Sequence, residues 1–138
     1  MKIKMSLFKD KKGQSLIEFA LVLPILLLVL LGIMEFGRMI MAVNVLNQAA
    51  REGARIGAVT SDADSLDFKD KIETRANELL NAANLKPENT TITILPPDAE
   101  RKITVTIDYA FPFATKFFDL FLPDVVNLRG SCVMYYEG

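Results

Sequence analysis

The chain has 138 residues, 51% of them hydrophobic, and its 16 basic and 17 acidic side chains leave a formal net charge of −1. That is room for one small domain and an anchor, with much of the apolar content packed into the first third. With no histidine and one cysteine, it lacks the commonest metal ligand and general base and forms no internal disulfide.

A basic leader comes first. Lys2, Lys4, Lys9, Lys11 and Lys12 are opposed only by Asp10, and the leader stops at Gly13. A cut after Gly13 would leave eleven basic and sixteen acidic residues, a net charge of −5. Phosphate binding needs a basic face, so this balance argues against nucleic acid as a partner.

An apolar helix follows. Glu18 sits at its lip, and from Phe19 to Met34 there is no charge; Phe36 and the stretch 39–43 extend the apolar character. About twenty residues of helix cross a bilayer core of roughly 30 Å, so the segment is long enough to span a membrane lipid core. The positive leader should stay in the cytoplasm, with the C-terminal part outside, which implies an inner (cytoplasmic) membrane protein with a periplasmic or extracellular domain. Arg38 can snorkel to the far interface and lies within helical pairing reach of Glu35.

Three readings of this segment compete. In the first it is a secretory signal peptide, but the run is too long and Glu35-Phe36-Gly37-Arg38 looks like no A-x-A site. In the second it is a plain anchor, in which Gly13 and Glu18 have no task. In the third it is a prepilin-type segment, cut on the cytoplasmic side and then kept. The third uses what the second leaves idle. A carboxylate at the edge of lipid is expensive. Cleavage after Gly13 would free an amine on Gln14 and place Glu18 one turn into the mature helix, where an anion suits the helix N-terminus. In a packed filament Glu18 could then meet the Gln14 amine of a neighbouring subunit. Two poorly solvated charges attract strongly, but only when both are present, so the pair would register subunits more than stabilise them.

The motifs make this specific. Gly13-Gln14-Ser15-Leu16-Ile17-Glu18-Phe19-Ala20, Leu21-Val22-Leu23-Pro24, Gly32-Ile33-Met34-Glu35-Phe36-Gly37-Arg38 and Ala49-Ala50-Arg51-Glu52-Gly53-Ala54-Arg55 follow in order. From Gly13 to about Ile56, this resembles the TadE-like family of minor pseudopilins, from the tight-adherence (Flp-type) branch of type IV pili. The resemblance covers roughly a third of the chain. It implies processing by a prepilin peptidase and a role in pilus biogenesis beside other pilins, pseudopilins and the assembly machinery. One departure is Glu18-Phe19 where major Flp pilins carry Glu-Tyr; with the added domain, it favours a minor component. The residues expected to act in processing are Gly13, Gln14 and Glu18, and in assembly Glu18, Phe19, Pro24, Glu35 and Arg38.

Helical character continues to about Thr60, interrupted by Pro24. The proline is either a kink tolerated in lipid or a weak point used when the helix leaves the membrane. Beyond the apolar run, Leu46, Ala50, Gly53 and Gly57 form a slim face that can seat on the domain's own sheet or on a partner helix. Glu52 can pair with Arg55.

Ser61–Ser65 breaks the pattern, and Asp64 or Ser65 can cap a second helix carrying Phe68, Ile72, Ala76, Leu79, Leu80 and Ala83 at helical spacing, ending near Asn84. Asp62, Asp64 and Asp67 lack the glycine and distal glutamate of a calcium loop, so capping is the simpler reading and no metal site is expected. Three strands follow, at Thr90–Leu95, Lys102–Phe111 and about Asn127–Tyr136, the first two joined by a turn at Pro96–Ala99. Gly130 allows a bulge or a close approach. The insert Pro112–Pro123 carries Phe113, Phe117, Phe118 and Phe121, as a short helix folded on the core or as an exposed patch for a partner or the membrane surface.

The expected fold is α+β: a leader at 1–13, a transmembrane and stalk helix at 14–60, and an extracytoplasmic domain at 61–138 with one helix and a three-stranded antiparallel sheet. No catalytic constellation, phosphate loop, cofactor motif or zinc spacing appears, and Cys132 falls in a strand pattern, so an enzyme is not expected. The leading reading is a membrane-anchored minor pseudopilin that assembles or primes a tight-adherence pilus. The other is a single-pass anchored binding or scaffold module that never enters a filament.

Overall fold

The computed structural model describes residues 11–60, 66–114 and 125–137. The fold is α+β, with a long helix α1 (Lys11–Val59), a second helix α2 (Leu66–Ala82) and an antiparallel sheet of β1 (Thr90–Leu95), β2 (Lys102–Pro112) and β3 (Val125–Tyr135) in the order β1-β2-β3. The chain divides into two units, Met1–Phe36 and Gly37–Gly138.

In the first unit α1 runs without a break through Pro24. Every residue from Gly13 to Leu30 is exposed. A helix apolar on all sides has no stable place in water and demands lipid or other helices around it.

The second unit is a sheet carrying the outer half of α1 and the whole of α2 on one face. Strand alternation sets this up. Ile103, Val105, Ile107, Tyr109 and Phe111 of the central strand are all buried, while their neighbours in sequence face outward. On α2, Phe68, Ile72, Ala76 and Leu80 are buried at four-residue steps, whereas Leu79 and Ala83 are only half-buried at the rim. With Leu46, the large side chains of this core each contribute about 1.5–3 kcal/mol by leaving water.

The slim face of α1 seats on the chain's own sheet. Leu46 and Ala50 are fully buried. A methyl added at Gly57 would collide with Ile103 and Ile72. At Gly130 it would lie 2.5 Å from the Leu46 carbonyl carbon and 2.7 Å from the Asn47 nitrogen, so helix backbone rests directly on strand backbone. Of the two uses open to Gly130, the close approach is the one adopted: register runs without a gap from Lys102↔Tyr135 to Pro112↔Val125, and Gly130 pairs with Ile107. The ladder extends to Pro112, so β3 takes in Val125 and Val126, two residues before the expected Asn127, because these valines find partners in Pro112 and Phe111.

Local signals close the elements. Asn84 adopts φ 57°, Leu85 N–H bonds Leu80 O at 2.9 Å and Asn84 N–H bonds Asn81 O at 3.0 Å. This Schellman end buries Leu85 against the core and stops α2 at Ala82. Between β1 and β2, Asp98 Oδ1 accepts the Glu100 and Lys102 N–H groups, each at 2.9 Å, and Arg101 takes φ 59°. The turn is therefore set by a side-chain acceptor and a left-handed residue that is not glycine.

Candidate assembly segment

The Gly13–Gln14 bond lies within α1. One turn on, Gln14 Nε2 donates to Glu18 Oε1 at 3.2 Å, with both side chains exposed. The four-residue spacing puts them on one face, so the Glu18 carboxylate is held by the residue that would follow the cut. Phe19 and Pro24 are exposed in the apolar run beyond.

Among the described residues one helix is long and apolar enough to cross a membrane, with a mean hydropathy of 2.9 in its most apolar window and none of that window buried. A methyl at Gly13, Gly32 or Gly37 would meet nothing within 4 Å. A glycine inside a helix costs about 1 kcal/mol relative to alanine, and no contact among the described residues offsets it at Gly32 or Gly37. Small residues of this kind let a second helix come close.

Glu35 is buried, at 4% exposure, between the exposed Met34 and Phe36. Arg38, in the second unit, lies half-buried with its guanidinium carbon 5.0 Å from the centre of the Phe111 ring, a cation–π arrangement. Sequence spacing suggested a snorkelling side chain within reach of Glu35; the aromatic seat comes from strand β2, far off in sequence. Phe111 also meets Tyr109 and Phe113 edge-on, at 6.4 and 6.3 Å. Of the aromatic insert, Phe113 is half-buried against this cluster. Phe117, Phe118 and Phe121 lie outside the described residues, as do Asp62 and Asp64. Asp67 pairs with Lys71 at 2.5 Å.

The outer face of the sheet is a polar ladder. Arg129 Nε and Nη2 donate to the two carboxylate oxygens of Asp108, at 2.6 and 3.3 Å, from a directly opposed position. Thr106 and Ser131 are opposed in the same way at 3.1 Å. Lys102 pairs with Glu100, a bond that raises the pKa of the lysine, with Tyr135 adding to the effect. The bond to Asp108 likewise raises that of Arg129. Glu52 accepts from Arg55 Nη2 at 2.9 Å, the pairing their spacing allows.

One feature goes unnoticed in the sequence. Asn44, Asn47, Gln48 and Arg51 line a cleft of about 590 Å³ with Ser131 and Cys132 of β3. Their steps of three, one and three residues are a legible polar stripe on α1, but nothing local says that a strand edge lies beneath it.

Residues 13–55 match the family model described as TadE-like protein. The match covers the apolar helix and the slim-faced part of α1, and stops before α2 and the sheet. No curated protein and no solved structure matches the chain.

Proposed function

We propose that this chain, whose membrane-length helix carries the TadE-like match, is a membrane-anchored minor pseudopilin that joins or primes a tight-adherence (Flp-type) pilus. The observation that carries the reading is the bare apolar helix headed by Gly13, Gln14 and Glu18: it needs neighbours that the described residues do not supply, and it begins with a carboxylate in search of a cation.

The leader stays on the cytoplasmic side, and the sheet domain stands outside the inner membrane. A prepilin peptidase hydrolyses the Gly13–Gln14 bond and frees the Gln14 amine. Glu18 of one subunit then exchanges its bond to the Gln14 side chain for the charged amine of a neighbour. Among packed apolar helices both charges lose water, so either one alone is costly and the pair enforces a single axial register. Gly32 and Gly37 offer the close approach that such bundling uses. The protein acts by position, without catalysing a reaction. Its partners are the peptidase, other pilins or pseudopilins, the assembly machinery and lipid.

The test separates processing from assembly. Gly13→Ala should accumulate the uncut precursor in membranes. Glu18→Gln should leave a folded outer domain but strongly reduce recovery of the chain with sheared surface fibres. A Glu18→Gln chain that is cut, and enters fibres as the parent does, contradicts the proposal and favours an anchored scaffold module.

A further inference from the structure

Among the described residues the sheet has two edges without a strand partner, and it carries two helices on one face. Three strands span about 14 Å at their usual spacing, whereas two packed helices of about 10 Å need roughly 20 Å. The helix layer is therefore wider than the sheet and overhangs it. On the β3 side the overhanging element is α1, fixed by its backbone contact with Gly130. The cleft lined by Asn44, Asn47, Gln48, Arg51 and Glu52 on α1, and by Ser131 and Cys132 on β3, lies on this side.

The cleft has the chemistry of a strand site. β3 pairs along its whole length with β2, so alternate backbone N–H and C=O groups point away from the sheet. Among the described residues these groups make no backbone hydrogen bond; the Cys132 thiol lies 3.9 Å from the Val133 carbonyl. Among the described residues the guard on this edge is α1 itself: β3 holds no proline, has no bulge, and its one charged residue, Arg129, is tied to Asp108. The opposite wall carries three side-chain amides that form no hydrogen bond with another described residue, each able to donate and accept as a peptide backbone does. Beyond the end of β3, the bond from Glu137 N–H to Ala58 O, 2.8 Å, ties the chain to the last turn of α1. Glu52 is held by Arg55, which leaves Arg51 as the cation in the cleft without an ion partner among the described residues.

We propose that this cleft takes up one extended segment of a second polypeptide, which adds to β3 as a fourth strand. Its backbone bonds the β3 edge, its side chains on the helix side meet the amides of Asn44, Asn47 and Gln48, and one of them is a carboxylate opposite Arg51. The occupant is a bare strand, such as a tail or linker. The sheet of a second copy does not fit, because its own helix layer overhangs its edges and would collide with α1. This assignment goes beyond the pseudopilin reading and does not depend on cleavage at Gly13.

The test uses the full chain in the membranes of its own cells. A photocrosslinking residue is placed at Asn47, at Ser131 and, as control, at Thr74 on α2. Adducts from 47 and 131 should map to one short stretch of a second polypeptide, which Thr74 does not reach. Outward β3 amides should exchange with deuterium about 100-fold more slowly in those membranes than in the detergent-solubilised single chain. Arg51→Glu, an exposed change that leaves the domain folded, should cut the adduct yield from Ser131 at least about tenfold, as loss of a charge-paired contact does. Adducts that map to another copy's sheet or scatter over many sites, β3 amides that stay fast, or an unchanged yield in Arg51→Glu overturn the proposal.

Discussion

Three glycines show how one residue type serves different ends. Gly130 and Gly57 are fixed by atoms of the same chain, whereas Gly13 touches none. Gly130→Ala should destabilise the outer domain by about 3 kcal/mol, since the added methyl meets helix backbone that cannot step aside, and urea unfolding would measure it. Gly13→Ala should leave that unfolding curve unchanged. The sequence marks Gly130 as special within a strand but withholds the reason, because the Leu46 backbone it meets is remote in the chain. The Asp98 turn is similar: proline and aspartate announce a turn, but the left-handed Arg101 carries no compositional sign. Lys102 gives a pH prediction. Its pKa is raised in the folded state, so its stabilising effect is complete below the unfolded lysine value of about 10.4 and fades as pH rises through the folded one. Unfolding midpoints should lose this contribution only in strong alkali, and Lys102→Met should remove that alkaline component.

At the scale of elements, periodicity is the signal that reads through. The two-residue alternation of β2 and the four-residue steps of α2 each require a single buried face, and both elements form where those patterns lie. Phe68→Ala should cost about 3–5 kcal/mol, because a fully buried ring leaves a cavity beneath Gly57; loss of α2 amide protection would report it. Element ends are less legible. α2 closes through a Schellman pair of bonds, and β3 starts early because its partner strand is already there to pair with. The slim face of α1 was readable as a contact surface. Its seat on the chain's own sheet, the simpler of the two uses, is set in detail by strands far away in sequence.

For the whole molecule, one helix has two kinds of surface. Its outer half buries Leu46, Ala50 and Ala54 within the domain, while its first half exposes apolar side chains on every side. The domain satisfies itself; the apolar segment does not. That contrast, with the TadE-like match over residues 13–55, is why assembly is assigned to the helix and strand capture to the domain. Shortening the apolar run while keeping Gly37–Gly138 should give a folded domain with a normal urea midpoint that no longer fractionates with membranes.

The most direct measurement is the intact mass and N-terminal sequence of the chain recovered from membranes of its own cells. A mature protein that begins at Gln14, and is replaced by the full-length form in Gly13→Ala, is the result expected of a pseudopilin. A parent chain that keeps residues 1–13 while surface fibres form normally contradicts it.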